Sequence, residues 1–203
     1  MEKGRKRMIK TGVVHGRFQP LHLKHMEYIL AAKMRCQKLY IGITNPDSLH
    51  TRDSVHDIHR SERSANPLTY FERYEMIRGA MAEFRVPETE YDILRSDQLS
   101  GIPSSIWCQK DATLVIWDVC DEWDDEKYKI LKDLGLNIEV LWHKTLAEKG
   151  VTASWIRSCI ATDQEWTHLV PKSVSLYLTE HGLDQRIKRL EQMRMDEKNT
   201  ELL

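Results

Sequence analysis

Val13-Val14-His15-Gly16-Arg17-Phe18-Gln19-Pro20-Leu21-His22-Leu23-Lys24-His25 reads as a buried strand that passes through a tight polar turn into a helix opening with two histidines. Met8 to Val14 is a short, partly β-branched apolar run suited to an interior strand, and Gly16 and Pro20 break it. The helix is expected at or just after Pro20, because proline fits the first helical position, where its missing N–H would be unpaired anyway. The free N–H groups of that first turn, with the positive end of the helix dipole, attract an anion. His22 and His25 stand three residues apart, which places both imidazoles on one helical face and within reach of one phosphate. Arg17 adds a permanent positive charge on a planar donor fork matched to phosphate oxygens. Two histidines alone would not hold zinc, which needs three or four ligands. The stretch is a candidate phosphate-binding turn with catalytic side chains attached.

Outward from this turn, strands and helices alternate. Helix is expected from His22 to about Met34, strand from Lys38 to Ile43, and helix again from Leu68 to Phe84. Tyr91 to Leu94 and Ala112 to Trp117 read as strands with a short helix near Pro103 to Gln109 between them. Asp125 to Leu134 reads as a helix ended by Gly135, and Ile138 to Leu141 as a fifth strand. The order predicts an α/β fold: a Rossmann-like, mainly parallel five-stranded sheet with helices on both faces and a helical C-terminus. Ligands of such sheets bind beyond the carboxyl ends of the strands, where the His turn, Asp118 and the segment around Thr152 would meet. Residues 8–182 form the expected domain, and residues 183–203 a charged C-terminal helix or tail. Ile187, Leu190 and Met193 give that helix a narrow apolar stripe, suited to loose packing on the domain or to a homo-oligomer contact.

The 203 residues carry 30 basic and 31 acidic side chains, so net charge points to neither a nucleic acid nor a membrane surface. Any positive field is local, made by Arg17, His22, His25 and Arg157. Cys36, Cys108, Cys120 and Cys159 are widely spaced, which argues against a disulfide framework or a structural zinc site and for a reducing, cytoplasmic setting. Lys3-Gly4-Arg5-Lys6-Arg7 is basic, but no apolar stretch long enough for a signal peptide or a membrane span follows it. The polar stretch from Thr44 to Ala65, with His50, His56 and His59, is either a solvated loop or a lid over the second substrate.

Gly16-Arg17-Phe18-Gln19-Pro20 followed by His22-x-x-His25 resembles the nucleotidyltransferase superfamily of adenylyl- and cytidylyltransferases, and within it the nicotinamide mononucleotide adenylyltransferases. Val151-Thr152-Ala153-Ser154-Trp155-Ile156-Arg157 is similar to the family's Ser/Thr-x-x-Ile-Arg element, which begins a helix and contacts the nucleoside triphosphate. Thr152 or Ser154 can cap that helix through its hydroxyl, and Arg157 would add charge at the same end. Asn66-Pro67-Leu68-Thr69-Tyr70-Phe71-Glu72-Arg73 and Leu169-Val170-Pro171-Lys172-Ser173-Val174 resemble two further family segments, in the right order. The resemblance implies catalytic roles for Arg17, His22, His25 and Arg157, with Gly16, Phe18, Asp118, Thr152, Ser154 and Ile156 also at the nucleotide. It implies Asn45, Arg73 and Trp123 at the acceptor, Trp123 either stacking on a base or covering the sheet end. Asp118 is either the family's acidic ligand after the fourth strand or a strand-terminating turn residue.

The implied chemistry is transfer of a nucleoside monophosphate from a nucleoside triphosphate to a phosphorylated acceptor, with release of pyrophosphate. Such an acceptor is already anionic near neutral pH, its second pKa being about 6, so no general base is required. The site must hold two anions in line and neutralise developing charge, with Mg2+ or another divalent cation arriving on the triphosphate. ATP and nicotinamide mononucleotide giving NAD are the substrates the resemblance favours. Another small phosphate or phosphonate receiving an adenylyl or cytidylyl group is the first alternative, and a nucleotide-sensing module without turnover the second. Lys24 stands where the usual His-x-Gly-His has glycine, and the 44–65 stretch is longer than in archaeal-type relatives, so nucleotide and acceptor stay open.

Overall fold

A computed structural model of the chain describes residues 8–44, 63–95, 113–119, 128–129, 132–133, 137–143 and 150–201. Strands β1 (Ile9–Gly16), β2 (Cys36–Ile43), β3 (Tyr91–Arg95), β4 (Thr113–Val119) and β5 (Ile138–His143) form one sheet in the order β3-β2-β1-β4-β5. Every pairing is parallel. Parallel neighbours need crossovers, and helices α1 (Leu23–Lys33) and α2 (Tyr70–Glu83) lie between β1 and β2 and between β2 and β3. Three more helices follow the sheet: α3 (Ala153–Ala161), α4 (Lys172–Glu180) and α5 (Leu183–Glu201). Consecutive strand residues point to opposite faces, and Val13 and Val14 are both fully buried, so β1 is covered on both sides. β1 is central, with β2 and β3 built outward on one side and β4 and β5, reached after β3, on the other, so the strand order reverses there and its carboxyl end is a topological switch point. The short helix expected at 103–109 lies outside the described residues, and residues 128–129 and 132–133 are helical within the stretch read as 125–134.

Two local readings need correction. The first concerns α1, which does not begin at Pro20. The Gln19–Pro20 bond is cis, the chain runs on through Leu21, and extended His22 (φ −137°, ψ 171°) is the N-cap of a helix starting at Leu23. The second concerns the C-terminal helix, whose buried positions are Leu183, Ile187 and Glu191, while Met193 is exposed. These three repeat every four residues, the spacing that keeps one stripe on a neighbouring helix, and Leu183 and Ile187 enter the same core as the sheet.

Helix α2 is fixed at its start by a reciprocal capping box: Thr69 Oγ1 accepts from Glu72 N, and Glu72 Oε2 accepts from Thr69 N at 2.8 Å. The same Glu72 carboxylate receives both terminal nitrogens of Arg186 from α5, at 2.7 and 2.9 Å. These hydrogen bonds hold its pKa below the ordinary carboxylate range, against the opposing effect of burial, and tie the C-terminal helix to the start of α2.

The turn after β1 depends on one close approach. Phe18 lies in the left-handed region (φ 53°) with its ring buried to 1% exposure, a backbone strain that a bulky side chain bears only where packing over-determines it. The ring fits because Gly16 has no side chain: a Cβ there would stand 2.9 Å from two atoms of the Phe18 ring. Gly16→Ala should therefore overpack the turn and cost about 1–3 kcal/mol of stability. Urea unfolding checks this, and an unchanged midpoint would mean the turn relaxes freely around the added methyl.

Candidate active site

His22 reaches its place by capping α1. Its Nδ1 accepts from His25 N at 3.3 Å, so the ring lies back over the first helical turn and stacks on the His25 ring, with centroids 3.6 Å apart and planes 19° from parallel. The pair expected from an i, i+3 helical face is thus brought together by a cap. Phe18 meets His25 edge-on at 5.1 Å. His22 is 5% exposed, and burial drives its pKa down to about 3, which makes the imidazole neutral at physiological pH. Neutrality suits both jobs: Nδ1 must carry a lone pair to accept the His25 amide, and the tautomer that does so presents Nε2–H as a donor.

The backbone of the turn is braced from several sides. Arg73, 1% exposed, donates Nη1 to the carbonyls of Arg17 (2.9 Å) and Thr44 (2.7 Å), and Nε to Thr69 O (3.1 Å). Burial first, and the nearby Arg17 charge second, lower its pKa to about 10, leaving it cationic. The Gln19 side chain pairs with the backbone of Leu68 in both directions, Nε2 to O at 2.9 Å and Oε1 from N at 3.0 Å. Arg157, from α3, spends Nη1 on the carbonyl of Gln19 (2.8 Å) and Nε on the carboxylate of Glu191 (2.8 Å). Arg73 and Arg157, read as ligand contacts, thus both have guanidinium nitrogens committed to protein carbonyls and carboxylates. Gln19 and Glu191 escaped the sequence reading; the signal was a carboxylate four residues beyond Ile187, on the buried stripe of a charged helix.

The second helix start lies beside the first. Thr152 caps α3, accepting from Trp155 N at 3.2 Å, and its hydroxyl is 3.0 Å from that of Ser154. Ile156 is buried in the core with Phe18. A methyl built on Gly150, just ahead of this cap, would lie 3.5 Å from Lys24 Cε, so the Lys24 stem runs alongside the approach to α3. Its ammonium pairs with Glu27 at 2.7 Å while staying largely accessible. Asp118 lies within β4, opposite Trp142 at a register shift after Trp117, so the strand runs on past the point where it was expected to end. Asn45 and Trp123 lie outside the described residues. The Cys36 thiol, raised to about 11 chiefly by burial, holds no thiolate for covalent catalysis.

The geometry is two adjacent helix N-termini, two stacked imidazoles and the accessible Lys24 ammonium at the switch point of a parallel sheet, an arrangement that suits an anion. Residues 13–159 match the cytidylyltransferase-like family. Phosphonoformate cytidylyltransferase of Streptomyces viridochromogenes is 40% identical over 178 residues, 88% of this chain and 95% of that one. Nicotinamide-nucleotide adenylyltransferase of Saccharolobus solfataricus is 26% identical over 183 residues, 90% of this chain and 97% of that one. Among solved structures, a bifunctional NMN adenylyltransferase/ADP ribose pyrophosphatase from Francisella tularensis, complexed with AMP and a Mn ion, shares the fold with a TM-score of 0.68 at 15% identity, covering 96% of this chain and 56% of that one.

The depressed pKa of His22 makes a prediction about acid. Between about pH 6.5 and 3 the unfolded chain binds a proton at position 22 that the folded chain refuses, so stability from this site is complete above pH 6.5 and is lost as pH falls through that window. The slope is at most about 1.4 kcal/mol per pH unit. Urea titrations at stepped pH should show His22→Gln flattening it, and equal slopes in variant and wild type would assign the acid sensitivity elsewhere.

Proposed function

The chain belongs to the cytidylyltransferase-like family and is a nucleotidyltransferase, and on that premise we propose that it transfers a cytidylyl group from CTP to a small phosphonate or phosphate. The observation that carries the choice is the 40% identity, across nearly the whole of both chains, to a cytidylyltransferase that acts on phosphonoformate. Lys24 agrees with it: an added cation where the adenylyltransferase pattern has glycine suits a compact acceptor with more than one negative charge. A second reading, ATP and nicotinamide mononucleotide giving NAD, draws on relatives such as the adenylyltransferases of Saccharolobus solfataricus and Thermococcus sibiricus, 26% and 28% identical.

In this reading an acceptor oxygen, already anionic, attacks the α-phosphorus. Its bond to phosphorus forms as the bond from that phosphorus to the bridging oxygen breaks, and pyrophosphate leaves with the electron pair. The free N–H groups of α1 and α3 hold the triphosphate, with Thr152 and Ser154 at the rim of α3. His22 and His25 donate to the transferring and leaving phosphoryl oxygens, and Arg17 supplies fixed positive charge. Gly16 and Phe18 shape the turn, Arg73 and Arg157 hold its carbonyls, and Asp118, Asn45 and Trp123 remain candidates for base or acceptor contacts. A divalent cation such as Mg2+, when bound through the triphosphate, would screen its charge. Among the described residues no group of three His, Cys, Asp or Glu is placed to hold one, whereas triphosphate oxygens are ligands such an ion prefers. The same reading sets the enzyme in the cytoplasm, where Cys36 and Cys159 stay thiols. Among the described residues no helix is long and apolar enough to cross a membrane.

Pyrophosphate release should be fastest with CTP and a small phosphonate such as phosphonoformate, when CTP and ATP are each tried against phosphonates, small phosphates and nicotinamide mononucleotide. Preference for ATP with nicotinamide mononucleotide would establish the second reading, and tight nucleotide binding without turnover on any acceptor a sensing role. With the preferred pair, His22→Ala or His25→Ala should lower kcat about two to three orders of magnitude, the scale for one transition-state donor; near wild-type turnover in both would remove the imidazoles from the chemistry.

Lys24 gives a separate handle. Its ammonium must leave Glu27 to reach a bound substrate, so Lys24→Met should weaken binding of CTP or of the acceptor by about 1 kcal/mol and flatten the salt dependence. Calorimetry at several ionic strengths decides, and identical isotherms for variant and wild type would leave Lys24 in solvent.

A further inference from the structure

A side-chain relay runs from the last helix to the turn after β1. Glu191, in the third turn of α5, is 3% exposed, and its Oε1 accepts from Arg157 Nε at 2.8 Å. Its Oε2 accepts from Arg194 Nε at 2.9 Å, so both carboxylate oxygens are engaged. Arg157 in turn donates Nη1 to the carbonyl of Gln19, 138 positions earlier in sequence, at 2.8 Å. A buried ion pair is poor evidence of stability, since desolvating both charges offsets much of their attraction. This pair has a directional consequence. The guanidinium is a rigid plane, so fixing Nε on Glu191 decides where Nη1 points, and it points at the peptide carbonyl two residues ahead of Leu21 and three ahead of the capping His22. The helix carrying Glu191 is anchored independently, by Arg186 on the capping box of α2.

We infer that Glu191 is a positioning residue of the nucleotide site: by holding Arg157 it locks the Gln19 carbonyl, and with it the turn that presents His22 and His25. The inference rests on reading that turn as the nucleotide site. Without Glu191, the Arg157 charge would swing toward water or toward a bound phosphate, and the turn would lose one of its braces. The C-terminal helix, outside residues 13–159 that match the family, thereby becomes part of the machinery that sets phosphate geometry.

Three variants of the full chain test this. Glu191→Ala removes the partner. Glu191→Asp keeps a charge opposite Arg157, and so should fold, but shortens the reach by one methylene. Glu191→Gln keeps an oxygen for Nε. In the ligand-free protein, hydrogen exchange at the amides of residues 17–19 and 21–23 should quicken in the Ala and Asp variants while β1 and β2 stay protected, with Gln, which keeps the acceptor for Arg157 but loses the charge and the acceptor for Arg194, in between. In turnover with CTP and its preferred acceptor, kcat should fall about tenfold to a hundredfold in Ala and Asp, the scale of small misplacements at a reacting centre, with acceptor KM nearly unchanged. Adding Glu191→Ala to Arg157→Met should cost no more than Arg157→Met alone. Unchanged turn exchange and kcat in the Asp variant would overturn the inference, as would loosening spread evenly over the protein with kcat following the folded fraction. Failure of the wild-type chain to bind CTP or ATP would overturn the nucleotidyltransferase reading itself and the inference with it, an outcome distinguished by being visible before any variant is made.

Discussion

Two backbone carbonyls in one short turn, those of Arg17 and Gln19, are each held by a buried guanidinium. A turn that presents donors to a polyphosphate has its N–H groups facing the ligand, and its carbonyls must find partners behind it. Phe18, Leu21 and Ile156, close by in sequence or on α3, are buried in the core. Arg73 and Arg157 meet these carbonyls from two helices, α2 and α3, and each brings a charge that needs its own accommodation. Arg73 donates to three carbonyls, and its lowered pKa records the burial; Arg157 has Glu191.

The same arrangement explains the electrical character of the site. Cations that brace the turn are sequestered behind it, while the imidazole nearest the helix start is kept neutral by burial. A neutral donor binds phosphate without competing strongly for a counterion in the empty site, and its hydrogen bond strengthens as charge builds on the leaving group. Fixed charge at the rim, from Lys24, adds attraction at longer range. Lys24, paired with Glu27 and lying along the approach to α3, is where this chain departs most visibly from the pattern of the adenylyltransferases.

Much of this was legible in the residues. Alternating apolar runs and breakers were enough to place all five strands within a few positions, since each strand carries a short apolar run, such as Val13-Val14 in β1 or Ile93-Leu94 in β3, bounded by polar residues or glycine. Thr69 with Glu72, and Thr152 ahead of its helix, are caps visible as local spacing. The proximity of His22 and His25 was also legible, although for an incomplete reason: three residues of separation brought them together, but through an N-cap on an extended residue rather than along a helical face.

What the sequence alone determined was therefore everything set by neighbours within about one helical turn: the strands, the caps, the glycine that admits the Phe18 ring, and the candidate phosphate turn itself. What only the tertiary structure decided was the use of the long polar side chains. Arg73 and Arg157 carry flexible stems that can face a ligand or the protein with equal local propensity, and their direction depends on carbonyls and a carboxylate 29 to 138 positions away. Glu191 continues the four-residue spacing of Leu183 and Ile187, which marks a buried stripe, but that its carboxylate meets Arg157 follows from the packing of α5 on α3 and is not written in that spacing. Local periodicity reports short-range sterics and burial; the orientation of a charged fork is a long-range electrostatic choice, made only once the elements have packed.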